Sequence, residues 1–496
     1  MTHITIIGGG IAGLATAFYL EKKANETGRT ISYTLVEQSD RLGGKIVTQT
    51  VDNFVIEGGP DSFITQKPWG LQLCRDLGVT DRLLSTNDAQ RNVFVLRSGR
   101  LIPFPAGYRL AIPTQFMPFA LSPLISPLGK ARMGLDLFIP PRMDKTDESL
   151  ADFMRRRLGQ EALDMIGEPL MAGIYTADPE RLSIQSTFPM FIGLEQKHGS
   201  LIKAMQVAKW KMYRKKQQQT NGSTSQAEQN GKTTTARKLS IFTSFQGGMS
   251  ELVAILQDQL TGEIQLNSQV VDIRSANSSA STGKRFEVVL AGDETRTIKT
   301  DGVVLAAPAR TMSSVVQSTL PALTTALSNI RYTSTSTISL GYRRQDIISQ
   351  HDLNGFGFVI PKSEQRHILA CTWSSTKFHH RADDDHVLLR TFVGGNGQEH
   401  LVGLSDEALI TLARMELFIT MGITATPVIQ RIFRWAEGAP QYDVGHLNRV
   451  ADMEQMVRQQ PGLYLTGSSF RGIGIPDCVK SALDTVEQIW QDIETP

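Results

Sequence analysis

ITIIGGGIAGLATAFYLE, residues 4–21, sets a short β-branched run against three glycines and follows it with a helical apolar pattern. Gly8, Gly10 and Gly13 hold the spacing GxGxxG where strand passes into helix, and Gly9, Ile11 and Ala12 complete the turn. Lacking Cβ atoms, such a turn brings backbone close to a pyrophosphate, while the helix N-terminus offers N–H groups and partial positive charge. Ala17 supplies a small residue where the helix would press on a sheet. ISYTLVE (31–37) reads as the next strand and ends at Glu37, with Gln38 beside it. An acid there, about 20 residues past the last glycine, is placed to bind a ribose. The strand–helix–strand order predicts a βαβ unit and hence a parallel sheet.

NAD and FAD both use this unit, so the choice falls to the sequence beyond Glu37. DRLGGK (40–45) brings Arg41, Gly43, Gly44 and Lys45, and IEGGPDSF (56–63) follows with Gly59, Pro60, Asp61 and Ser62. A second glycine pair directly after the acid suits a cofactor that continues past its ribose, which selects FAD.

The chain has 496 residues, a length for about two to three domains. The last strand–turn–helix, GLYLTGSSFRGIGIPDCVKSA, resembles the first, so distant segments are expected to close one cofactor domain from residues 1–64, 239–312 and 430–496. Residues 65–110, with a hairpin-like VFVLRSGRLIPF at 93–104, and 313–429, which mixes helix and strand, are assigned to a substrate domain. Residues 111–213 read as a helical subdomain, and 214–238, polar and nearly free of apolar residues, as a solvated loop insertion. The expected class is therefore α/β: a Rossmann-like FAD domain of the two-dinucleotide-binding type with a mixed α+β substrate domain and a helical subdomain.

Lys plus Arg (51) and Asp plus Glu (49) nearly cancel, which argues against a nucleic-acid binder, since phosphate affinity is built from basic surface. Cys74, Cys371 and Cys478 are too few and too scattered for a disulfide framework or structural zinc, so a reducing cytoplasm is expected. No run of about 18 apolar residues predicts a transmembrane helix, and the glycines at 8–13 argue against a signal peptide. Residues 112–141, rich in Pro, Phe and Leu, read as packed core, with a membrane-surface role as the alternative and Lys130 and Arg132 available to anionic lipid.

IIGGGIAGLATAFYLE, LVEQSDRLGGKI, IEGGPDSF, STFPMF (186–191), APQYDVGH (439–446) and GSSFRGIGIPDCVKSA (467–482) resemble the flavin-dependent amine oxidase superfamily. GGPDSF, EPLMAGIYTADP (168–179) and GIGIPDC are more specific and are similar to the bacterial oxygen-dependent protoporphyrinogen/coproporphyrinogen oxidases of haem biosynthesis. The resemblance covers nearly the whole chain outside 214–238. It implies non-covalent FAD, with Gly8 to Gly13 around the pyrophosphate, Glu37 and Gln38 at the adenosine ribose, and Arg41, Gly44, Lys45 and Gly59 to Ser62 along the flavin side. It further implies that Val271 grips the adenine through its backbone, and that Trp435, Ile473, Gly474 and Ile475 lie near the isoalloxazine. N–H groups at the start of the helix after GIGIPD could stabilise an anionic reduced ring there.

The same resemblance implies a porphyrinogen substrate, molecular oxygen as acceptor with hydrogen peroxide as product, and a ferrochelatase as downstream partner. Coproporphyrinogen III is the expected substrate and protoporphyrinogen IX the alternative. An amine oxidase, a carotenoid desaturase and a flavin-binding protein without turnover stay open as rivals. No Ser/His/Asp constellation or metal-ligand spacing occurs, the adjacent His379 and His380 read as surface residues, and no acid–base residue is required because the cofactor carries the chemistry. Gly173 and Ile174 would face the tetrapyrrole, Gly173 admitting a backbone carbonyl; a loop glycine needing positive φ is the ordinary alternative. The arginine that plant and animal members carry before the hairpin aligns with Val93 here. Lys67, Arg91, Arg97, Arg100 and Lys377 are therefore the candidates for anchoring propionates, against the alternative of solvated surface cations.

Overall fold

The alternation in Thr2–Ile7 sends its side chains to two different cores: Ile4 and Ile6 pack on one face of the strand and Ile7 on the other. Leu35 and Val36 divide the same way, as do Val304 and its neighbours Val303 and Leu305. Strands buried on both faces are what a parallel sheet between helical layers requires. In the computed structural model, which describes residues 2–105, 108–109, 112–113, 116–221, 239–276, 285–292 and 296–494, these strands form one five-stranded parallel sheet. Its order is Glu263–Gln265, Ile31–Val36, Thr2–Ile7, Gly302–Leu305, Leu463–Leu465.

One face carries the helix Ile11–Thr27, which enters from Gly10 and stops at Gly28 in the left-handed conformation (φ 67°), together with the last helix, Ile475–Glu494. The other face carries a three-stranded antiparallel sheet built on Val270–Ser275 and the helix His446–Arg458. Segments far apart in sequence thus close one unit.

A seven-stranded sheet forms the second unit, in the order Ile429–Pro440, Tyr332–Arg343, His386–Gly394, Ile368–Trp373, Gly357–Val359, Val93–Arg97, Arg100–Pro103. Val93–Arg97 and Arg100–Pro103 make the expected hairpin, turning at Ser98 and Gly99, both at positive φ. Helices between Leu150 and Asn221 pack around Phe153, Ile166 and Phe191 in a third core.

Four expectations change. Strand Ile429–Pro440 pairs with Tyr332–Arg343, so residues 430–440 belong to the second sheet and not to the cofactor unit. Leu323, Leu327 and Ile330 pack under the parallel sheet, as do Leu73, Cys74 and Leu83 on its opposite face, so 313–330 and 68–83 join the cofactor unit. Helix Leu201–Asn221 runs into the segment read as loop from 214; residues 222–238 lie outside the described residues. The Pro- and Phe-rich stretch is split: Leu124, Ile125 and Met133 are buried, yet Leu121, Leu128 and Phe138 are 76%, 84% and 81% exposed. Among the described residues no helix is long and apolar enough to cross a membrane, and no group of His, Cys, Asp and Glu is arranged to hold a metal.

Candidate cofactor cavity

The C-terminal ends of Thr2–Ile7, Gly302–Leu305 and Leu463–Leu465 open on a cavity of ≈ 470 Å³, the place where open parallel sheets bind ligands. Gly8, Gly10, Ile11 and Ala12 line it at the first helix's N-terminus, with no acidic side chain in that helix's first turn. Glu37 and Gln38 line it at the end of the second strand, Gly44, Lys45 and Pro60 further along, and Ile473 and Ile475 where the last helix begins.

Two of the glycines are there for contact. A Cβ on Gly13 would lie 2.0 Å from the Gly8 carbonyl oxygen, and one on Gly59 would lie 1.7 Å from the Lys45 carbonyl oxygen. The first approach seats the helix against its own entry turn; the second fastens GGPDSF to DRLGGK. Gly10 differs, because a Cβ there meets nothing within 4 Å and would project into open space. The glycine pairs also touch each other: Gly43 N–H donates to the Gly9 carbonyl at 2.8 Å.

Glu37 accepts the N–H of Gly9 at 2.7 Å and of Ser39 at 2.9 Å, which aims its carboxylate back at the glycine turn. Arg41 donates to the carbonyl of Gly44 at 2.8 Å and so braces the loop from outside. Burial pushes the Lys45 ammonium below its usual pKa, and among the described residues it has no hydrogen-bond or ion-pair partner. A half-buried lysine with no partner among the described residues, beside a helix N-terminus, suits a diphosphate, so the donor set fits a dinucleotide.

Other expected residues support the wall from behind. Trp435 Nε1–H donates to the Gly58 carbonyl at 2.9 Å, and buried Arg390 donates to the Gly59 carbonyl at 2.6 Å. Asp61 accepts from Ser62 Oγ–H and Lys377 Nζ, each at 2.7 Å. Burial alone would raise its pKa, but Lys377 and Arg390 outweigh that and hold the carboxyl well below the carboxylate range. Val271 turns its side chain outward, 43% exposed, while its neighbour Val270 lines the cavity. A register shift between Val270 and Asp272 leaves Val271 without a Cα partner on the neighbouring strand. Gly474 sits between Ile473 and Ile475 and accepts the Cys478 N–H at 3.0 Å.

The candidate anchors do not converge. Lys67 pairs with Asp477 at 2.6 Å, Arg97 with Glu161 at 3.0 Å and Lys377 with Asp61 at 2.7 Å, while Arg91 and Arg100 are exposed. Gly173 and Ile174 lie in helix Glu168–Tyr175. Gly173 is therefore not a positive-φ loop glycine; a Cβ there meets only Val359, at 3.7 Å. His379 and His380 are exposed.

Sequence reading missed Ser268, Ala306 to Pro308, Thr311, Gly467, Ser468, Tyr175, Thr176 and Cys478, all on the cavity wall. A signal existed for some, since VVLAAPA and YLTGSS both run past the C-terminal ends of parallel strands, where ligands gather. Tyr175 and Thr176 reach the cavity only through the packing of a separate helix.

The profile of the flavin-containing amine oxidoreductases matches residues 11–490. The chain is 38% identical over 96% of its length to a coproporphyrinogen III oxidase of Bacillus subtilis (strain 168), covering 95% of that protein. It is 32% identical to a coproporphyrinogen III oxidase of Staphylococcus aureus, covering 98% of each. A crystal structure from Exiguobacterium sp. 255-15, provisionally assigned as a protoporphyrinogen oxidase, superposes with a TM-score of 0.82 at 31% identity, covering 100% of this chain and 99% of that one.

Proposed function

The chain belongs to the flavin-containing amine oxidoreductases, and from that premise we propose that it oxidises coproporphyrinogen III to coproporphyrin III. It removes six electrons, with three molecules of oxygen consumed and three of hydrogen peroxide formed. The observation that carries the reading is the cavity, whose lining combines Ser268 and Val270, the glycine turn with Lys45, and the apolar Ile473 and Ile475. Such a lining accommodates a cofactor with a diphosphate and a flat ring, so FAD is the flavin proposed. Likeness to the Bacillus and Staphylococcus coproporphyrinogen III oxidases over nearly the whole chain supports coproporphyrinogen over protoporphyrinogen.

Bound FAD would supply hydride acceptance from the porphyrinogen bridge carbon and reoxidation by oxygen. The protein's share is binding and orientation. First-helix N–H groups and Lys45 would meet the diphosphate charge, Glu37 the ribose, and the start of the last helix the flavin ring. Cys478 lies on the cavity wall, but burial pushes its thiol up to about 12, which keeps it protonated and supports non-covalent binding.

The exposure of Leu121, Leu128 and Phe138 supports a peripheral membrane contact, one led by apolar side chains. The adjacent cations are engaged elsewhere: Lys130 donates to the carbonyls of Ala120 and Ser122 at 2.7 Å, and Arg132 to that of Arg155 at 2.7 Å. A ferrochelatase would take the product onward. The test is to load the protein with FAD, supply each porphyrinogen separately, and follow porphyrin fluorescence and peroxide. Porphyrin formation faster from coproporphyrinogen is the expected result; bound flavin with no porphyrin from either substrate would overturn the activity.

A further inference from the structure

The turn between the last parallel strand and the last helix, residues 466–475, supplies Gly467, Ser468, Ile473 and Ile475 to the cavity wall. Two buried side chains behind that wall hold it. Tyr442 and His446, the latter opening the helix His446–Arg458, stack with ring centroids 4.0 Å apart and planes 13° apart. The Tyr442 hydroxyl donates to the Ser468 carbonyl at 2.7 Å and accepts the Gly472 N–H at 2.8 Å. Between those two points, His446 Nε2 lies 2.7 Å from the Phe470 carbonyl, which assigns the ring proton to Nε2.

Three grips therefore alternate along the turn at 468, 470 and 472. The other imidazole nitrogen, Nδ1, is buried with no partner. An apolar residue would fill the same space without that cost, so what the histidine adds here is its single directed hydrogen bond. Burial also pushes its pKa down to about 4, which keeps the ring a neutral donor near pH 7.

We propose that Tyr442 and His446 are positioning residues for the flavin: the stacked pair presets the backbone of 467–475, so that the N–H groups opening the last helix meet the cofactor's ring without rearrangement. This rests on the flavin reading above. Donors fixed in advance stabilise the negative charge a flavin gains on reduction, so loosening them should make the bound cofactor harder to reduce.

The test measures FAD affinity and the two-electron midpoint potential of Tyr442→Phe, His446→Leu and His446→Gln. Tyr442→Phe keeps the stack and loses both hydroxyl contacts, and His446→Leu loses the donor to Phe470. His446→Leu should weaken FAD binding roughly 10-fold, the equivalent of one lost hydrogen bond, Tyr442→Phe, which loses two, by at least as much, and both should move the potential to a more negative value. His446→Gln, which retains an N–H at the reach of Nε2, should recover most of both losses. If Tyr442→Phe and His446→Leu bind FAD and hold its potential as the unsubstituted protein does, the positioning role is wrong.

Should the variants fail to fold, hydrogen exchange on the unsubstituted chain decides. Peptides covering 468–475 should already be protected before FAD is added, and exchange at the rate of an exposed loop until FAD arrives would overturn the proposal. Failure of the unsubstituted chain to take up FAD overturns the flavin reading instead.

Discussion

At residues 8–13 it is backbone that lines the cavity, whereas Lys67, Arg97 and Lys377, away from its wall, could offer a ligand only their side chains. Gly10 gives the first helix no side-chain cap and faces open space, while the N–H groups of Gly8 and Gly9 are held by the Val36 carbonyl and Glu37. Each of those three cations is engaged by a carboxylate brought from another part of the chain: Asp477, Glu161 and Asp61. Backbone sites are dictated by local residue type, because only glycine permits the approach; a side chain's availability is settled by whatever folds against it.

The largest expected effect falls on the glycine turn. Gly10→Val should purify folded, by circular dichroism, yet free of flavin, because its side chain would occupy the space left for the pyrophosphate. Gly13→Val should instead lose stability, since even a methyl there meets the Gly8 carbonyl oxygen at 2.0 Å. Overpacking of this kind costs about 1–3 kcal/mol or more and should appear as a lower Tm in the flavin-free chain. Equal flavin content in Gly10→Val and the unsubstituted protein would make the turn structural only.

That contrast also governs what could be read in advance. The βαβ unit, the hairpin at 93–104 and the last strand–turn–helix were legible because each is written in a local period and its turn residues. Leu323, Leu327 and Ile330 carry the same apolar pattern wherever they pack, so nothing local revealed that they lie beneath the parallel sheet. Lys377 likewise reads as a free cation until Asp61, 316 positions away, is placed against it. The site's backbone half was visible for the same reason that its side-chain half was not.

Lys377→Met sharpens the comparison, because a propionate anchor and a partner of Asp61 fail differently. Removing the cation leaves a mostly buried carboxylate supported by Arg390, and loss of one partner of a buried pair costs about 3–5 kcal/mol. The pH dependence has a definite sign. Asp61 has its folded pKa depressed, so its stabilisation is complete above an unfolded pKa of about 4 and is lost as pH falls below it. Lys377→Met should therefore move the acid-unfolding midpoint to higher pH, and Lys377→Met with Asp61→Asn should return part of the stability. A pure anchor would change the Michaelis constant and leave acid unfolding alone.

Glu168 is a partly buried carboxyl with no salt bridge among the described residues, although the Lys362 charge favours its ionised form. Burial raises its pKa to about 7, opposed by the Lys362 N–H at 2.9 Å. A carboxyl shifted upward contributes stability at low pH that is lost as pH rises through the folded value. Thermal stability should therefore decline between about pH 4.5 and 7 by about 1–3 kcal/mol, and Glu168→Gln should flatten that slope and melt higher than the unsubstituted protein at pH 8. An unchanged slope would mean that the carboxyl is hydrated and ionises normally.

The smallest effect tests whether the rim chooses between porphyrinogens. Coproporphyrinogen III carries four propionates and protoporphyrinogen IX two, so a pocket suited to the first needs additional donors around the ring. Arg91 is exposed, precedes the hairpin at Val93 and has no ion-pair partner among the described residues. Lys67 is held by Asp477, with its side chain 44% exposed. A cation already paired gains little from a second carboxylate, whereas an unpaired one gains a full contact, and at an exposed position that is about 0.2–1 kcal/mol. Arg91→Ala should therefore lower kcat/KM for coproporphyrinogen by roughly 2- to 5-fold more than for protoporphyrinogen, and added salt should narrow the difference by screening the attraction. Lys67→Met should leave the ratio of the two specificity constants nearly unchanged. A larger shift from Lys67→Met than from Arg91→Ala would show that the Asp477 pair opens for substrate, and that pairing in the folded chain does not withdraw a side chain from the site.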